Sequence, residues 1–142
     1  MRVMVIVKAD KDSEAGVMPS ETLLTEMGNF NEELVNAGVM QAGEGVHPSS
    51  KGVRIHFEGE KRRVEKGPFP ATDELLAGFW IWKVASMDEA IEWAKRIPNP
   101  DGKGGGNVEI RPIFETEDFG AELTPEAREQ EERLRAEMAA KA

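Results

Sequence analysis

Cysteine is absent from the 142 residues, which excludes a disulfide framework, a thiol nucleophile and any thiolate metal site. Histidine is scarce as well. The only two, His47 and His56, make no zinc pattern without cysteine, so no metal is expected. No apolar run approaches the ~20 residues of a membrane span, and no signal-peptide pattern opens the chain. A cytoplasmic protein that engages no membrane is the expectation. Positive charge is in deficit: 18 Lys and Arg against 27 Asp and Glu leave a net charge of −9. That balance disfavours a nucleic-acid surface, where neutralising phosphates needs a concentrated basic patch. What is present is ordinary for a folded protein. Hydrophobic residues make up 39% and charged residues 32%, too apolar for disorder and enough to build one core.

Residues 2–8 (RVMVIVK) are apolar on both alternating faces, Val3, Val5 and Val7 on one and Met4 and Ile6 on the other. Such a strand is covered on both sides. Residues 9–16 read as a polar loop. A helix then starts at Pro19-Ser20-Glu21, with Leu23, Met27, Phe30 and Leu34 on one face, Leu24 and Val35 widening it, and Gly38 as the stop. Residues 39–44 form a short extended segment. Residues 53–58 alternate strictly, with Val53, Ile55 and Phe57 on the apolar side, and Gly59-Glu60 turns them into a hairpin with residues 61–65. Residues 79–84 (FWIWKV) are a second strand apolar on both faces, with Trp80, Trp82 and Val84 opposite Phe79 and Ile81. Ser86 and Glu89 make a capping box for a helix carrying Ala90, Ile91, Ala94 and Ile97, which Pro98 ends. A glycine-rich loop at 101–107 leads into a last strand at 108–113. Beyond it, Thr124-Pro125 opens a mostly charged third helix.

Strand, helix, strands, helix, strand is the order of a ferredoxin-like βαββαβ sandwich in the α+β class. It puts the two doubly apolar strands at the sheet centre and both helices on one face. The expected division is a domain over residues 1–120 and an acidic helical extension over 121–142. The bare sheet face, expected to show Trp80 and Trp82, would be a large exposed apolar patch, and a homodimer through that face is the expected remedy.

Several constellations invite chemistry. His47 sits in GEGVHPSSKG, where an imidazole oriented by Glu44 could move a proton near neutral pH, with Lys8 or Lys51 holding an anionic substrate. A surface histidine that merely fixes its loop is the plainer reading. His56 alternates with apolar neighbours and suits a polar cross-strand or dimer contact. The glycine loop at 102–106 lacks phosphate-loop spacing and precedes a strand, so no nucleotide cofactor is expected. Ser49-Ser50 lacks the glycines of a nucleophile elbow. Arg54, Arg62 and Arg63 form a small basic cluster, which more often is a solvated strand face.

Four segments in proper order (VMVIVKADKDSEAG, AGEGVHPSSKG, GPFPATDELLAGFWIWKVASMDEAIEWAKRIP and VEIRPIFETEDFG) resemble the YCII-related, or DGPF-domain, family over about residues 1–120. The acidic tail is similar to that of one subgroup. The resemblance implies a dimeric α+β fold with a cleft between sheet and loops. Most members are uncharacterised; a few are linked to small-molecule turnover such as dehydrochlorination of a chlorinated aromatic, and others carry regulatory labels. Two departures matter. Lys66 stands at the acidic position of the Asp-Gly-Pro-Phe motif, and the first long helix has no histidine, so the family's His-Asp dyad does not carry over.

Two functions stay open at this point. In one, the cleft binds a small polar or anionic organic molecule, with His47 and Glu44 as acid/base residues and Lys8, Ser49, Ser50, Lys51, Lys66 and Phe69 contacting it. In the other, the chain is a non-catalytic regulatory or interaction module. The first requires the loop at 44–51 and the Gly-Pro-Phe turn to converge on one concave pocket; under the second these residues scatter and the largest cavity is shallow.

Overall fold

A computed structural model describes residues 1–70, 73–100 and 106–142. Its elements are β1 (Arg2–Lys8), α1 (Lys11–Glu14), α2 (Glu21–Asn36), β2 (Met40–Gly45), β3 (Val53–Glu58), β4 (Lys61–Lys66), β5 (Leu76–Lys83), α3 (Met87–Ala94), β6 (Val108–Pro112) and α4 (Pro125–Lys141). The four-stranded antiparallel sheet has the order β2-β5-β1-β6, the ferredoxin-like arrangement. The two doubly apolar strands are central, as patterning requires of strands covered on both sides. β3 and β4 form a separate two-stranded sheet inserted between β2 and β5.

Local chemistry sets the helix ends. The Ser20 hydroxyl accepts from the Leu23 amide at 3.1 Å, and Gly38, at φ 73°, supplies the left-handed residue just past α2. Ser86 accepts from the Glu89 amide at 3.2 Å, while the Glu89 carboxylate reaches back to the Ala85 amide at 2.6 Å. α1 lies within residues 9–16, which read as a polar loop. Asp10 and Ser13 bond reciprocally across its first turn, a capping box short enough to be hidden in a polar stretch.

The core lies between the sheet and α2 and α3: Val3, Val5, Trp80 and Trp82 from the sheet, Phe30 and Leu34 from α2, and Ala90 from α3. Phe30 meets Trp80, Trp82 and Trp93 edge-on at centroid separations of 6.0, 6.4 and 6.3 Å, geometry that favours aromatic pairs. The two β5 tryptophans therefore face the helices, which corrects the expectation that they lie on the bare face. Pairing of Val5 with Trp80 and Ile110, and of Ile6 with Phe79 and Glu109, shows why. The bare face carries Met4, Ile6, Phe79 and Ile81, all half-buried. An apolar patch survives on that side, made by the other half of each strand.

One further expectation is corrected. Leu24, Val35 and Ile91 are exposed, so the apolar stripes of α2 and α3 are narrower than their composition suggests. Val53, Ile55 and Phe57 pack against no core and stand open to solvent.

The chain divides into two compact units, Met1–Pro112 and Ile113–Ala142. In the second, α4 opens with Thr124 accepting from the Ala127 amide and carries the i,i+4 pairs Glu131–Arg135 and Arg133–Glu137. No helix among the described residues is long and apolar enough to cross a membrane.

Candidate functional site

Antiparallel pairing brings the ends of β1 and β2 and the starts of β5 and β6 to one end of the sheet. The Ala9 amide donates to Leu75 O at 2.8 Å and the Val46 amide to Ala77 O at 2.9 Å. Segments 9–20, 46–52, 67–70 and 73–75 thus leave the sheet together; residues 71–72 and 101–105, the latter most of the glycine loop, lie outside the described residues.

At this end the bare sheet face is chemically varied. Glu44, Phe79, Ile6 and Glu109 share one cross-strand row. Beyond it Lys8, with its side chain only 18% exposed, donates to Asp73 O at 2.9 Å and lies 3.5 Å from Glu109. The Arg111 hydrogen bond, followed by the charge of Lys8, holds the Glu109 carboxyl below its ordinary value.

The loops are fastened by one side chain. Ser49 Oγ donates to Glu14 Oε1 at 2.5 Å, the Ser49 amide donates to Glu14 Oε2 at 2.9 Å, and Ser49 Oγ accepts from the Phe69 amide at 3.0 Å. The Gly67 amide donates to Gly52 O at 2.9 Å. Helix α1, the loop after β2 and the Gly-Pro-Phe turn are thereby joined. Glu14 was not singled out from sequence; its partner is 35 residues away, and only the Asp10–Ser13 capping box marks its position.

The expected residues fall into two groups. Lys8, Ser49 and Phe69 are tied into the structure, Phe69 lying under the Arg54 guanidinium at 4.0 Å. Glu44, His47, Ser50, Lys51 and Lys66 are exposed, and no hydrogen bond joins Glu44 to His47 among the described residues. The three arginines do not act as one cluster. Arg54 covers Phe69, Arg62 covers Phe57, and Arg63 pairs with Glu58 at 2.5 Å. His56 Nε2 lies 2.7 Å from Glu65 Oε1, a polar cross-strand contact. No group of three or more His, Asp or Glu placed to hold a metal occurs among the described residues.

The two hydrogen bonds from Ser49, hydroxyl first, keep the Glu14 carboxyl below the ordinary 4.5 of glutamate. A depressed folded value stabilises the protein above the unfolded value, and that contribution is lost as pH falls through the folded one. In Ser49→Ala the Glu14 titration, followed by carboxyl NMR, is expected to move up toward 4.5. An unmoved titration would show that the clasp does not exist in solution.

A family model described as the YCII-related domain matches residues 1–117. An uncharacterized protein of Rhizobium meliloti (strain 1021) is 27% identical over 93 residues, spanning 66% of this chain and 74% of its own. Among solved structures, the 5-chloro-2-hydroxyhydroquinone dehydrochlorinase of Burkholderia phenoliruptrix AC1100, in complex with 2,5-dihydroxybenzoquinone, aligns at 15% identity and a TM-score of 0.45. That alignment covers 84% of this chain and 100% of that one. With the model matching most of its length, the chain belongs to the YCII-related family.

Proposed function

We propose that the loop-bearing end of the sheet binds a small anionic organic molecule, and that His47 is the residue that exchanges a proton with it. The observation that carries this reading is the Glu14–Ser49–Phe69 clasp. It fastens three segments yet leaves the neighbouring His47 imidazole and Lys51 ammonium exposed and without partners among the described residues. A loop held this firmly keeps two adjacent functional groups in place for a ligand. With Lys66 at the motif's acidic position, proton transfer falls to His47, with Glu44 on the adjoining sheet face, and Lys51 and Lys66 supply the charge that attracts an anion. Ser49 serves in this scheme as a positioning residue. The half-buried patch of Met4, Ile6, Phe79 and Ile81 supports a homodimer through the bare face, which would wall the site on its open side.

A thermal-shift screen of small organic acids tests the reading. A ligand at a hundredfold excess over its Kd stabilises the folded state by about 2.7 kcal/mol, a rise of several degrees in Tm. The rise is expected to shrink by more than half in His47→Ala. Full retention there dismisses His47, and a screen without hits dismisses the site.

A further inference from the structure

The β3–β4 hairpin is inside-out. Register places Arg54 opposite Glu65, His56 opposite Arg63 and Glu58 opposite Lys61 on one face, with Val53, Ile55, Phe57 and Val64 on the other. The apolar side stands open to solvent, and the polar side is the one that packs. It does so through Arg54, whose guanidinium lies 4.0 Å from the centre of the Phe69 ring. Phe69 is where the hairpin meets the loops, because its amide donates to Ser49 Oγ at 3.0 Å and Ser49 in turn is bound to Glu14. Arg54 is thus one contact away from the clasp.

A carboxylate directly across from an arginine on one face of a strand pair ordinarily pairs with it. Here no ion pair joins Arg54 to Glu65 among the described residues. Glu65 turns instead to His56, with Oε1 2.7 Å from Nε2, and that leaves Arg54 to cover the ring. The hydrogen bond from His56, ahead of every other cause, holds the Glu65 carboxyl below its ordinary value, so Glu65 stays an anion where histidine titrates. The neighbouring charges are already paired: Arg63, opposite His56, lies 2.5 Å from Glu58, which shares the His56 side of β3. The contact from the Gly-Pro-Phe turn is the uncharged Phe69 ring. One anion is therefore within reach of two cations. An imidazolium adds charge attraction to its hydrogen bond with Glu65, and a neutral imidazole keeps the bond without the attraction. Exposed ion pairs and exposed cation–π contacts are of similar strength, so that loss is enough to draw Arg54 from ring to carboxylate.

We infer that Arg54 is a positioning residue for the loop-bearing end of the sheet, and that the charge on His56 decides whether it holds Phe69. With His56 protonated, Glu65 is occupied and Arg54 stays on the ring, keeping the turn against Ser49. As pH rises and the imidazole loses its proton, Glu65 draws Arg54 across the strand pair and the turn slackens. The consequence for a ligand rests on the binding role proposed above for this end. The switch itself does not, because it operates in the ligand-free protein.

NMR of the ligand-free full chain tests it, following the Phe69 ring and amide and both imidazoles from about pH 5 to about pH 8. In the wild type the Phe69 signals are expected to shift with the midpoint of His56. His56→Gln keeps a donor that never charges and fixes the high-pH signals at every pH. Glu65→Gln removes the competing anion and fixes the low-pH ones. Arg54→Met abolishes the response, and His47→Gln leaves it in place. Damage to the hairpin cannot arrest one response at opposite ends in two variants. Phe69 signals that ignore pH, that follow His47, or that titrate unchanged in His56→Gln or Glu65→Gln overturn the proposal, as do two variants fixed at the same end. A screen of organic acids without hits dismisses the ligand reading and alters none of these outcomes.

Discussion

Replacing Trp82 with alanine is expected to cost about 4 kcal/mol of folding stability, read as a lowered urea midpoint at unchanged slope. Trp82 is 0% exposed, the largest fully buried side chain, and lies between Phe30 and Trp80 on the helix-covered face. Removing it leaves a cavity that neither helix can close without abandoning the sheet. Phenylalanine at the same position is expected to cost far less. The Trp82 indole N–H is buried without a hydrogen-bond partner among the described residues, and an unsatisfied buried donor carries a penalty of about 1–3 kcal/mol. Trp82→Phe removes that penalty while keeping a ring against Phe30. Trp80→Phe is the contrasting case, because the Trp80 Nε1–H donates to Asn31 Oδ1 at 2.9 Å. Its loss breaks a made bond. A Trp82→Phe variant as unstable as Trp82→Ala would show that the indole N–H is satisfied in solution.

The misplaced tryptophans show what alternation can and cannot say. Period two determines which residues share a face of β5, and Trp80 with Trp82 against Phe79 with Ile81 is as read. It does not say which face the helices take, because β1 and β5 are apolar on both. The signal was in β6. Val108 and Ile110 alternate with Glu109 and Arg111, and pairing through β1 carries that polarity across the sheet: the charged side of β6 lies in line with Ile6 and Phe79. The tryptophans had to lie opposite the charges. The hairpin shows a related limit. Strict alternation at 53–58 says which residues share a side and not that the side is buried, and an inserted strand outside the main sheet has no helix waiting for it. Sequence also implies the strand directions, which bring residues 8, 44 and 47 to one end of the sheet. It could not find the Glu14–Ser49 contact, which depends on where two loops 35 residues apart come to rest.

Gly67→Ala is expected to cost about 3 kcal/mol, with its effect concentrated at the clasp. A Cβ at Gly67 would lie 1.8 Å from the Ser49 carbonyl oxygen, 2.7 Å from its carbon and 3.3 Å from Gly52 O. All three are backbone atoms, so no rotamer change relieves the overlap and one loop must withdraw. Withdrawal removes the Gly67–Gly52 backbone bond and pulls the Phe69 amide from Ser49 Oγ, each worth about 1 kcal/mol net, on top of the steric cost. Gly52→Ala is the matched control. Its Cβ would meet Ser49 O at 3.4 Å, an ordinary contact, so stability should stay within about 0.5 kcal/mol of wild type. The decisive readout is again Glu14. Once the loop carrying Ser49 is displaced, its carboxyl loses both hydrogen bonds and titrates back toward 4.5, and any ligand that needs His47 loses affinity in parallel. Wild-type stability with an unmoved Glu14 would mean that the turn and the loop do not meet as closely as their backbones place them, and that the glycine serves some purpose other than close approach.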